Sequence, residues 1–171
     1  MESIFDKILS KIYKLMDILM ILSILSLVII VFSNIIFRYF GKSFTWIDET
    51  SRLIFVWMAL LAAVNGYKIN IHPSFTSFLN KLDKNKRKIL LYIINFLILA
   101  FLIYLFKGGI DYVNSTKHNK IAILNISVAW KYLAVPVASF VMILETLRKF
   151  IYIYKDEFFL DEYEMTEINN N

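Results

Sequence analysis

Four stretches of this chain carry no charged residue: 18–37, 53–67, 89–106 and 132–144. A helix that crosses a bilayer needs roughly 20 mostly apolar residues, since a rise of about 1.5 Å per residue must span a hydrocarbon core about 30 Å thick. The first run meets that length unaided. The others meet it once flanking charges snorkel to the interface, giving Thr45–Tyr67, Ile89–Lys107 and Val128–Arg148. Composition agrees, because 58% of the 171 residues are hydrophobic and the mean hydropathy is +0.60. A water-soluble domain averages about 45–50% apolar residues. The expected fold is an all-α integral membrane protein with four transmembrane helices, at about 15–37, 45–67, 89–107 and 128–148. These form one membrane domain, 1–155, followed by an acidic tail, 156–171.

A cleaved signal peptide would account for the first run only if it held a short apolar core ending in a small-residue cleavage site. The run ends instead in Ser33-Asn34-Ile35-Ile36-Phe37-Arg38, so it is expected to remain as a helix. There are no cysteines, which removes disulfides and thiolate sites and leaves the redox compartment open. The net charge of +5 resides at helix ends, where it acts as a topology signal rather than a nucleic-acid surface.

Basic residues cluster before the first helix (Lys7, Lys11, Lys14), between the second and third (Lys68, Lys81, Lys84, Lys86, Arg87, Lys88), and after the fourth (Arg148, Lys149, Lys155). Fewer lie on the opposite side, which has Arg38, Lys42, Arg52, Lys107, Lys117, Lys120 and Lys131. The positive-inside rule therefore puts both termini in the cytoplasm and faces Arg38–Arg52 and the loop Gly108–Ser127 outward. Within the Lys68–Lys88 link, Phe75, Phe78, Leu79 and Leu82 recur at helical spacing after Pro73, with lysines between and beyond them. This pattern predicts a short cytoplasmic amphipathic helix on the membrane surface, against the alternative of a loop with scattered aromatics. The tail carries six acids and ends in three asparagines, a composition suited to solvent.

Arg38–Arg52 concentrates charge at a membrane edge, where charge is costly unless paired. Thr45 and Asp48 fit a helix-start box, and Arg52 can reach Asp48 at i,i+4 or Glu49 at i,i+3. Trp46 stands where an interfacial aromatic anchor belongs. Two readings stay open: a capped, internally paired helix end, or a polar contact with a partner in which Arg38, Trp46, Asp48, Glu49 and Arg52 are the candidates. General acid–base catalysis by the paired acids has no third group to support it. In the second helix, Ala59/Ala63 and Ala62/Gly66 form a small-residue face of the kind that lets helices approach closely in lipid. Asn34, Asn65 and Asn95 each put an amide on a different helix and are expected to bond across the bundle. Pro136, inside the fourth helix, predicts a kink.

Other classes lack their residues. His72 and His118 lie in loops on opposite sides, so haem ligation inside the bundle is not expected, and no metal site or bound cofactor is. Coupled carriers place an ionisable group deep in the membrane, whereas Asp48, Glu49 and Glu145 fall near helix ends. Glycine-rich interruptions of a transporter's midplane type are also missing. The balance points to an accessory subunit rather than a pump or an enzyme.

Two stretches resemble a known family. Asn34–Trp57, with Arg38-Tyr39, Trp46, Asp48-Glu49, Arg52 and Phe55-Val56-Trp57, is similar to the small, Q-type membrane subunit of TRAP transporters, which often has a second glutamate where this chain has Asp48. Ile126–Pro136, reading Ile-Ser-Val-Ala-Trp-Lys-Tyr-Leu-Ala-Val-Pro, is similar to that family's entry into its fourth helix. Lys68-Ile69-Asn70-Ile71-His72 loosely matches the segment after helix two, with the histidine displaced. The resemblance implies a tripartite, sodium-driven uptake system for organic acids in a bacterial inner membrane. Its external binding protein would deliver substrate to a large membrane subunit, with this chain as a fixed scaffold bracing that subunit and helping to dock the binding protein. A small self-assembling carrier or channel is the alternative.

Overall fold

A computed structural model describes residues 4–42, 44–68 and 84–154. It consists of helices α1 (Ile4–Tyr39), α2 (Thr45–Lys68), α3 (Lys84–Thr116), a single turn α4 (Ala129–Tyr132) and α5 (Ala134–Tyr154). No strand occurs among the described residues; an isolated bridge between Lys120 and Ser127 pins the loop before α4. Helices α1 and α3, of 36 and 33 residues, are long and apolar enough to cross a membrane by length and composition. The amphipathic helix expected between the second and third helices, His72 and the acidic tail lie outside the described residues.

The helices pack in the order α1, α2, α5, α3, with α1 and α3 at the two edges. Successive long helices alternate in direction. The start of α1 and the end of α2 pack on α5 in a core of Leu9, Tyr13 and Met16 with Leu61, Val64, Ala138 and Val141, and beyond it Tyr13 and Tyr67 reach Glu145 and Thr146 in the second half of α5. The start of α3 joins at the same end, where Leu91 packs on Ile153 and the rings of Tyr92 and Phe150 stack 6.0 Å apart. Ile4, Lys68, Lys84 and Tyr154 therefore lie toward one end, called here the basic end.

Helix limits differ from expectation in three places. α1 starts at Ile4 rather than near 15, because Leu9, Tyr13 and Met16 recur on one face and bury there, 2–6% exposed, while the lysines between them point away. α3 runs on to Thr116, so Gly108–Thr116 is helix rather than loop. Its glycines would ordinarily weaken a helix, but Gly109 faces Pro136 of α5 so closely that an added Cβ would sit 3.0 Å from the proline Cδ. The fourth helix is interrupted at Leu133 and then extends to Tyr154. Pro136 has no N–H to give the carbonyl of Tyr132, so one backbone bond is lost there, while Leu133 keeps helical angles, φ −58° and ψ −25°.

The α1–α2 turn is closed by backbone bonds. Lys42 N–H donates to the Phe37 carbonyl at 2.9 Å and Gly41 N–H to the Arg38 carbonyl at 3.1 Å, with Gly41 at φ +73°. This is a Schellman motif, in which the left-handed residue is nearly free of strain only as glycine. Phe37 and Phe44 then meet edge to face, 5.1 Å between centroids.

Candidate functional site

The α1–α2 turn leads into α2 at Thr45, with the Ile47 N–H donated to the Phe44 carbonyl at 3.1 Å. The expected Thr45–Asp48 box does not form: among the described residues the Thr45 hydroxyl makes no hydrogen bond, and backbone geometry starts the helix instead. The Asp48 carboxylate accepts from Asn34 Nδ2 of α1 at 3.1 Å, stitching the two helices across their turn. Arg52 selects Glu49, 3.9 Å away, in a pair whose arginine side chain is 69% exposed. Such a pair contributes about 0–1 kcal/mol, so it orders the surface more than it holds the fold. Arg38 is exposed and has no ion-pair partner among the described residues, and Trp46 is 47% exposed. The five candidates share a region, but only Glu49 and Arg52 pair with each other.

Asn65 also bonds across helices, donating to the Asp17 carboxylate of α1. Asn95 does not: it is buried and donates to the Leu91 carbonyl of its own helix at 2.9 Å, the nearest acceptor inside an apolar interface. The small residues Ala59, Ala62, Ala63 and Gly66 face away from the rest of the chain. All four are exposed, and a Cβ on Gly66 would meet nothing within 4 Å. Leu61 and Val64 of the same helix turn inward, 5% and 0% exposed.

The two stretches that carry the family resemblance touch. Trp57 of α2 donates its indole N–H to the Trp130 carbonyl in α4 at 3.0 Å. Tyr132 at the end of α4 meets Tyr112 of α3 edge to face at 4.6 Å. The short α4 is thereby held between α2 and α3 where the chain re-enters the bundle.

The densest polar group was not among the candidates. At the basic end Glu145 is 0% exposed and has both carboxylate oxygens satisfied. Tyr13 of α1 donates its hydroxyl to Oε2 at 2.8 Å, and Arg148 donates to Oε1 at 2.6 and 3.2 Å. Beside it the Lys149 ammonium donates to the Tyr67 carbonyl at 3.1 Å, capping the last turn of α2, and sits 3.8 Å from the centre of the Tyr67 ring. The Tyr67 hydroxyl meets that of Thr146 at 2.8 Å, and Lys68 lies 4.5 Å over the Tyr13 ring. A buried carboxylate tolerates this position because every lone-pair direction facing a donor is used. Its position at the end of an apolar run hid it; the signal was a single acid followed at i+3 by arginine.

Among the described residues no three His, Cys, Asp or Glu side chains gather as a metal site. The α1–α2 turn is thus an exposed polar surface, the α2 small-residue face an open one, and the network around Glu145 a buried connection between helices.

Residues 27–156 match the family profile of the DctQ component of tripartite ATP-independent periplasmic transporters. Two proteins of Haemophilus influenzae, both named as TRAP transporter small permease proteins, are similar to the chain. One is 37% identical over 98 residues, covering 56% of this chain and 60% of its own length. The other is 27% identical over 136 residues, covering 79% of this chain and 82% of its own. The matched segment takes in α2, α3, α4 and α5 entire, together with residues 27–39 of α1. By that extent of match, the chain belongs to the DctQ family of TRAP transporter small permease components.

Proposed function

We propose that this chain is the small scaffold subunit of a tripartite, sodium-driven organic-acid uptake transporter of a bacterial inner membrane. It would cross the membrane four times with both termini in the cytoplasm, brace the large membrane subunit, and offer its outer turn to the external binding protein. The observation that carries this reading is the family match across residues 27–156. Three features support it. The helices alternate in direction, so the ends of the described chain lie on the side where lysine and arginine concentrate. The α2 small-residue face is left open, suited to a helix of another subunit. The exposed Arg38 and Trp46 leave a guanidinium and an aromatic ring open at the α1–α2 turn.

Reconstitution tests the proposal. In liposomes the chain alone should give no organic-acid uptake, and sodium-dependent uptake should appear once the large subunit and binding protein are added. Uptake by this chain alone, or a stable homo-oligomer that ignores the large subunit, would replace the scaffold reading with that of a self-assembling carrier or channel.

A further inference from the structure

We infer that the free edge of α1 is a lipid-facing flank whose lysine ladder, Lys7, Lys11 and Lys14, binds the headgroups of anionic phospholipids in the cytoplasmic leaflet. The inference rests on the membrane-spanning orientation proposed above and goes beyond it by assigning a face and a ligand class. Residues 7, 11 and 14 share one face of α1, since i,i+4 and i,i+7 positions stack on a 3.6-residue helix. That face is opposite the one that buries Leu9, Tyr13 and Met16. All three lysines are exposed and none has a hydrogen-bond or ion-pair partner among the described residues. Lysines at the start of α3 differ in this respect, because Lys86 and Lys88 are engaged within the chain.

The same face continues without charge through Ile18, Leu25, Phe32 and Ile36, exposed by 56, 54, 62 and 41%. The change from basic to apolar occurs within one turn, between Lys14 and Ile18. From Ile18 to Ile36 the stripe is about 27 Å long at 1.5 Å per residue, close to a hydrocarbon core of about 30 Å. Lys7 to Lys14 covers about 10 Å more along the axis, which brings the ladder across the adjoining headgroup layer. Large branched and aromatic side chains make up the stripe, whereas tight helix contacts in membranes favour small ones. Those small residues are on α2. Acyl chains therefore suit the apolar stripe, and phosphate headgroups suit the unpaired lysines beneath it.

Native mass spectrometry of the full chain, purified from bilayers mixing phosphatidylglycerol with phosphatidylcholine, tests the ladder. The wild-type chain should retain phosphatidylglycerol preferentially. Lys11→Gln, which leaves Lys7 and Lys14 to hold topology, should weaken that preference about fivefold, the equivalent of about 1 kcal/mol per lysine. Replacing all three by glutamine should abolish it, and replacing all three by arginine should preserve it. An unchanged preference in the triple glutamine variant, or its loss in the triple arginine variant, would overturn the inference. The chain has no native cysteine, so Leu25→Cys carries a single fluorophore whose quenching by brominated lipid reports the stripe. Quenching in the complex with the large subunit is expected; protection there would assign the face to a protein partner instead. Release of the wild-type chain by alkaline carbonate would sink the spanning orientation itself, while a retained chain without lipid preference would sink only the ladder.

Discussion

The two ends of the bundle use the same kinds of side chain for opposite ends. At the basic end an arginine and a tyrosine from two helices enclose the carboxylate of Glu145. At the α1–α2 turn Asp48, Glu49, Arg38 and Arg52 stay at the surface, with one long ion pair between Glu49 and Arg52 and one hydrogen bond donated to Asp48 by Asn34. Burial is the difference. A carboxylate without water must have every oxygen answered by the protein, which couples the helices supplying the donors. A carboxylate in water is already solvated and can exchange that solvation for a partner protein. One end is therefore a sealed connection between helices and the other an exposed polar surface.

The largest effect expected from breaking this contrast is at Glu145. Glu145→Ala leaves a half-buried Arg148 and the Tyr13 hydroxyl unanswered, and should destabilise the detergent-solubilised chain by about 3–5 kcal/mol, read as a lowered melting temperature. Tyr13→Phe removes one donor to the same carboxylate and should lose about 1.5–3 kcal/mol. A chain unaffected by both would mean that the network follows helix packing without supporting it. At the α1–α2 turn Gly41→Ala should lose about 1 kcal/mol through its positive φ, a local effect that leaves the basic end as it was. Glu49→Ala and Arg52→Ala should change stability by less than about 1 kcal/mol each yet weaken co-purification with the large subunit. A double-mutant cycle in that assay separates their mutual pairing from contact with the partner; wild-type assembly in both single variants would reduce the cluster at the α1–α2 turn to helix-end decoration.

Expectation and structure part company where pairing partners are set by distance in three dimensions. Four long helices were legible because runs without charge have few other uses at this length. The early start of α1 was not, because lysines at 7, 11 and 14 interrupt the run while the residues between them bury. The two asparagines that cross helices, Asn34 and Asn65, found acids, whereas Asn95 found the carbonyl one turn back. All three look alike in sequence. Thr45 and Asp48 had the spacing of a capping box, but Asn34 lay within reach of the acid and took it. Gly41 could have been read as a helix stop; its role is local and needs no tertiary knowledge.

Sequence alone determined the class of protein: helical, membrane-embedded and a transporter component, with charge gathered at helix ends. Those properties follow from hydropathy, local spacing and family-specific residues, all of which are carried along the chain. Only the tertiary structure decided which acid is sealed and which is free, that the α2 small-residue face points outward, and that Gly109 receives Pro136. The physical reason is that burial and pairing depend on which helix faces meet. The order α1, α2, α5, α3 is a property of their packing, not of any one segment.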